Sequence, residues 1–147
     1  MHDFGMAALH HVLVFGLVIM LAMELALMRA PVIDIRRLVR LDAGYGITAV
    51  LVIVVGVTRV LWGAKGWTFY RDNPAFWTKM GLFAAIGLIS ILPTVAFMRW
   101  AKAARANPEF QPTAAQRAGV LRCLRLETGL LILLVVAAAA MARWPLV

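Results

Sequence analysis

The sequence predicts an all-α membrane protein, a four-transmembrane-helix bundle with the N- and C-termini on the outer (periplasmic) side. Three observations predict it. The chain has 147 residues and is 63% hydrophobic, more apolar surface than a water-soluble domain of this size can bury. The apolar residues fall in four runs, about 6–28, 43–62, 77–98 and 120–142. At about 1.5 Å per residue each run can cross a hydrocarbon core about 30 Å thick. Backbone groups in lipid must be paired internally, so the runs are helices. The first link holds Arg29, Arg36, Arg37 and Arg40, and the third holds Arg99, Lys102, Arg105, Arg117, Arg122 and Arg125, ten of the fifteen basic residues. Excess positive charge marks cytoplasmic links, which places both termini and the middle link outside. A multi-pass protein of the bacterial cytoplasmic (inner) membrane, built as a single domain over 1–147, is expected.

Composition also excludes whole classes. The net charge of +8 belongs to the links between apolar runs, so nucleic acid is not an expected partner. The single cysteine, Cys123, leaves no intrachain disulfide, iron–sulfur cluster or zinc-thiolate site. No phosphate-binding glycine loop, serine-nucleophile elbow or zinc-protease motif is present. The N-terminus lacks a basic leader and the apolar run behind it is long, so the first helix is expected to stay in the protein.

Taken in order, each helix carries ionisable groups that need a partner or a task, because an ionisable group at mid-membrane costs about 2.5–3.5 kcal/mol. In the first helix His10 and Glu24 fall on one face at about 100° per residue, with Leu13, Leu17 and Met20 between them, while His11 points elsewhere. In the second, Asp42, Tyr45, Ala49, Val52, Gly56 and Arg59 form an inward seam. In the third the matching stripe is Lys79, Phe83, Ile86, Ser90 and Pro93, and Pro93 is expected to bend the helix. The fourth holds Glu127 within its apolar run, with Arg122 and Cys123 about a turn below. Thr113 is a candidate N-cap that would start this helix early.

These groups sort into two layers. The inner layer is Glu24, Asp42, Arg122 and Glu127, read either as register-fixing ion pairs or as a proton path. The outer layer is His10, Arg59 and Lys79, under the link that runs through 59–79 with its tryptophans, phenylalanines, Tyr70 and Lys65. Arg59 and Lys79 could each snorkel to headgroups, and the tryptophans could form an interfacial belt. Three cationic or ligating groups at one depth beneath an aromatic link point instead to an anionic amphipathic ligand. All three histidines lie in the first eleven residues, so a haem held by two histidines on different helices of one chain is ruled out. If haem binds, His10 is one axial ligand and the other is Lys79, a methionine or nothing. Arg59 and Lys65 suit the propionates.

The layout resembles HemJ, a haem-containing protoporphyrinogen oxidase of bacterial membranes, in Leu9-His10, in Arg40-Leu41-Asp42 with Tyr45-Gly46, and in Trp77-Thr78-Lys79. It departs from HemJ at the end of the first helix, where Leu27-Met28-Arg29-Ala30-Pro31 replaces Leu-Pro-Arg. Over nearly the whole chain the sequence is similar to a family of bacterial membrane proteins of unknown function, through Leu41 to Gly46, Arg59, Trp62-Gly63-Ala64-Lys65-Gly66, Phe69-Tyr70 and Asn73-Pro74 to Lys79. The HemJ resemblance implies a haem b redox protein that oxidises a porphyrinogen- or quinol-like substrate, with His10 and Lys79 as the catalytic pair and His10 the metal ligand. Arg59, Lys65 and Lys79 would bind the cofactor. The expected partners are membrane lipid, a porphyrin or quinone, and further copies or other membrane subunits. A non-enzymatic accessory or scaffold subunit and a transporter of a small anion or metal are the competing readings.

Overall fold

The computed structural model describes residues 2–62 and 66–143. Four long helices dominate: α1 (His2–Arg29), α2 (Ile35–Trp62), α4 (Pro74–Ala106) and α5 (Ala114–Ala142), with a short α3 (Gly66–Arg71) between α2 and α4. Each long helix contains a stretch long and apolar enough to cross a membrane. No strand occurs among the described residues.

The helices outrun the apolar segments because their ends are set by caps in the polar links. Asp34 starts α2 by accepting from the Arg37 backbone N–H at 3.0 Å. Asn73 caps α4 from the Ala75 N–H, with Pro74 in the first turn. Thr113 does start α5 early, in a full capping box with Gln116. The middle link is partly helical, through α3. Pro93 lies buried inside α4, which continues unbroken past it.

The long helices form a ring. α1 packs on α2 and α5, and α4 packs on α5 and α2, so α1 faces α4 across the centre and α2 faces α5. Glycines let α1 and α2 approach closely. A Cβ on Gly44 would lie 3.3 Å from the Met20 sulfur, one on Gly16 3.8 Å from Thr48, and one on Gly56 3.6 Å from His10 Cε1. Those three contacts define an antiparallel register that puts His10 beside Gly56 at one end. Glu24 then comes level with the start of the Asp42 seam at the other.

The two ends differ. At the link end, Met28, Leu38, Phe97, Trp100 and Leu124 make a fully packed core. There the α4–α5 link is clipped to the α1–α2 link. The Gln111 side chain accepts from Ile33 N at 3.0 Å and donates to Ile33 O at 3.3 Å, so one amide satisfies both backbone groups. Arg117 donates to the Met28 and Ala30 carbonyls at 3.1 and 2.6 Å and to Pro31 O at 3.4 Å, closing the C-terminus of α1. The other end carries α3, the start of α1 and the end of α5. Around the girth Val12, Phe15, Ile47, Leu88, Ile132 and Val136 are exposed, an apolar surface suited to lipid chains.

Candidate functional site

The inward stripes read from the sequence are the inward stripes of the fold. On α1, Leu17 and Glu24 are buried and His10, Leu13 and Met20 half-buried. On α2, Tyr45 and Val52 are buried. On α4, Ile86 and Pro93 are buried, with Lys79 half-buried. His11 points away: it is exposed, and its Nδ1 lies 2.6 Å from the Ala7 carbonyl. The two imidazoles stand edge-on at 86° with their centroids 6.4 Å apart.

His10, Arg59 and Lys79 come together near the α3 end. They start from three helices, two of them diagonal partners, and all three side chains are half-buried. The charges of Lys79 and Arg59 both act on the His10 ring, and that of Arg59 acts on Lys79. His10 Nδ1 and Arg59 Nε are buried without a hydrogen-bond partner. Neither Arg59 nor Lys79 forms an ion pair among the described residues, where the single pair is the exposed Arg71–Asp72. Buried polar atoms are ordinarily satisfied, and here two nitrogens amid concentrated positive charge are left without a partner.

An aromatic cluster adjoins Lys79. Phe76 is buried, with Lys79 Nζ 5.8 Å from its ring centroid. Tyr70 and Trp77 lie at 5.4 Å from Phe76, centroid to centroid, and Trp67 at 6.5 Å. Trp77 Nε1 donates to the Arg71 carbonyl at 2.9 Å, tying α4 back to α3. Asn73, fully buried, turns the chain between them. Asp72, outside the spans, has its carboxyl held below the usual range by the Arg71 hydrogen bond. Lys65, the further expected anion contact, lies outside the described residues.

One expectation fails at the inner layer. Glu24 and Glu127 are 2% and 1% exposed, and Asp42 sits beside them, but no arginine joins them. Arg122 is exposed and makes no ion pair, and Arg40 and Arg125 are exposed too. The partner of Asp42 is Thr94, whose hydroxyl donates at 2.8 Å, a contact no sequence signal marks. The Tyr45 hydroxyl lies against the Glu127 carboxyl. Among the described residues no group of histidine, cysteine and carboxylate side chains is placed to hold a metal ion.

Fold and site thus define an integral membrane protein, a four-helix bundle with a cationic site near one end and a carboxyl cluster deeper in. The chain belongs to the family described as predicted membrane protein (DUF2214), whose model matches residues 2–144. No curated protein and no solved structure matches the chain.

Proposed function

We propose that this protein is a haem-binding redox protein of the bacterial inner membrane, HemJ-like in pairing a histidine with a lysine, with its site toward the outer side. The observation that carries the reading is the meeting of an imidazole whose buried Nδ1 lacks a partner with two cations that have no acidic partner among the described residues. A haem uses every part of that set. His10 supplies the iron ligand, Arg59 takes a propionate, and Lys79 serves as second ligand or as a contact to propionate or substrate. When bound, haem supplies a one-electron couple. The chain does the rest. The buried Phe76 and Tyr70 shield the Lys79 side from water, and Arg59 and Lys79 fix the orientation of an anionic ligand. The apolar girth admits a porphyrinogen- or quinol-like substrate from the lipid.

The test is the absorption spectrum of detergent-purified protein expressed with ample haem. A Soret band is expected, lost in His10→Ala and shifted in Lys79→Ala. A colourless protein, or a band unchanged by His10→Ala, overturns the reading. A colourless protein migrating with other membrane proteins on native gels would be an accessory subunit instead.

A further inference from the structure

Beneath the cationic site lie features that the haem reading leaves unused. Glu24 from α1, Asp42 and Tyr45 from α2, and Glu127 from α5 converge at one depth, and their charges act on one another. From α4 the cluster is faced by Thr94, which is neutral and donates to Asp42. The arginines nearest along the helices, Arg40, Arg122 and Arg125, are exposed. Glu24 and Glu127 each keep one oxygen, Oε1, buried and without a partner, although both residues are almost wholly buried. Leaving a buried carboxylate oxygen unpaired is costly, and three anions with no cation would repel. The cluster therefore needs positive charge from outside the fold.

A cavity of about 80 Å³ adjoins the cluster. Asp42, Tyr45, Ser90 and Thr94 give it polar walls and Phe83 and Leu131 apolar ones. A water molecule needs roughly 10–15 Å³ measured in this way, so the chamber has room for several, with its few polar groups at Asp42, Tyr45, Ser90 and Thr94. Asp42 and Tyr45 belong to both cluster and chamber. Leu17 and Ala49, also in its wall, lie seven residues from His10 and from Gly56. At about 1.5 Å per residue the chamber is some 10 Å beneath the cationic site. The order of depth is cationic site, chamber, carboxyl cluster.

We infer that Glu24, Asp42, Tyr45 and Glu127 form a membrane-embedded proton-binding site, opening through Asp42 and Tyr45 onto a water-holding chamber that leads toward His10. The supporting geometry is a set of unpartnered, buried carboxyl oxygens with no basic side chain among them. A proton is the favoured ligand over a metal ion, since no metal-holding arrangement of these side chains is present among the described residues. The inference stands independently of haem.

Infrared spectroscopy of the full chain in lipid tests it through the carbonyl stretch of protonated carboxylic acid. Near neutral pH a band is expected that shifts on deuterium exchange. It should be lost or halved in Glu24→Gln or Glu127→Gln, and unchanged in the exposed-site control Glu109→Gln. Tyr45→Phe, which keeps every carboxyl, should shift the band without abolishing it. A spectrum with no such band, or a band indifferent to both Gln variants, overturns the inference. So does a band that sodium, potassium or a divalent cation removes, which would make the cluster a cation site. Since His10 takes no part in this readout, a failed haem assay leaves it intact.

Discussion

Removing the Arg117 side chain should loosen the link end measurably. Its guanidinium donates two bonds from one nitrogen, to Met28 and Ala30, and a longer one to Pro31. Each bond to a charged donor contributes about 1.5–3 kcal/mol when well buried. Arg117 is only half-buried and the Pro31 contact is long, so the lower bound applied to the two shorter bonds gives about 3 kcal/mol. A cation at the C-terminus of α1 adds roughly 0.3–1 kcal/mol, and water replacing the lost donor returns part of the total. Arg117→Ala should therefore cost about 2–4 kcal/mol, a fall in melting temperature of roughly 5–10 °C for a chain of this size. Tryptophan fluorescence of the detergent-solubilised protein reads the transition. Arg117→Lys keeps the charge but cannot fork across three carbonyls, so it should recover less than half. Arg122→Ala, at an exposed residue without such bonds, should stay within about 0.5 kcal/mol of the parent. Equal melting of Arg117→Ala and parent would refute the clip, and full rescue by lysine would reduce it to a charge effect.

Other perturbations test the α1–α2 seam and the α3 end. Gly44→Ala should be accepted because the Met20 thioether can yield from 3.3 Å, whereas Gly44→Leu should drive the helices apart and lower the yield of folded protein on size-exclusion chromatography. Gly56→Ala makes ordinary contact with the His10 ring at 3.6 Å, while Gly56→Leu should displace it and weaken any haem absorbance without loss of helicity by circular dichroism. Asp72 has a depressed folded-state value, so its pairing with Arg71 is present above the ordinary carboxyl range and lost only as pH falls through the folded value, below about 4. The carboxyl carbon shift of Asp72, followed by NMR, should stay flat from neutrality to mild acid; a midpoint at or above the ordinary value would refute the pairing.

The stripes were legible because a helix in a bilayer hides few polar groups, and residues three and four apart share a face. His10, Glu24, Tyr45, Arg59 and Lys79 could be assigned inward on spacing alone. Helix ends were less legible. An apolar run marks where lipid touches the chain, whereas the helix begins where a side chain satisfies the first free N–H groups. Asp34 and Asn73-Pro74 carried that signal in the polar links, outside any hydropathy window. Proximity in sequence also misled. Arg122 is five residues from Glu127, a rotation of about 140° beyond a full turn, which sends it to the opposite face. The pairing of Thr94 with Asp42, the two-sided Gln111 bond and the reach of Arg117 are contacts between distant segments, and no local pattern announces them.

The separation of charge by depth also bears on how the two proposed sites would act together. His10 and Glu24 are fourteen residues apart on one helix, about 21 Å along its axis. With an effective dielectric constant of about 20, two unit charges at that distance interact by roughly 0.8 kcal/mol. An anion held at Arg59 and Lys79 and a proton held at the carboxyl cluster would therefore favour each other by about that much per charge, and by linkage the effect is reciprocal. That is too small to gate either site. It is enough for a dianionic ligand to change the proton affinity of the cluster by about tenfold, without any movement of the helices.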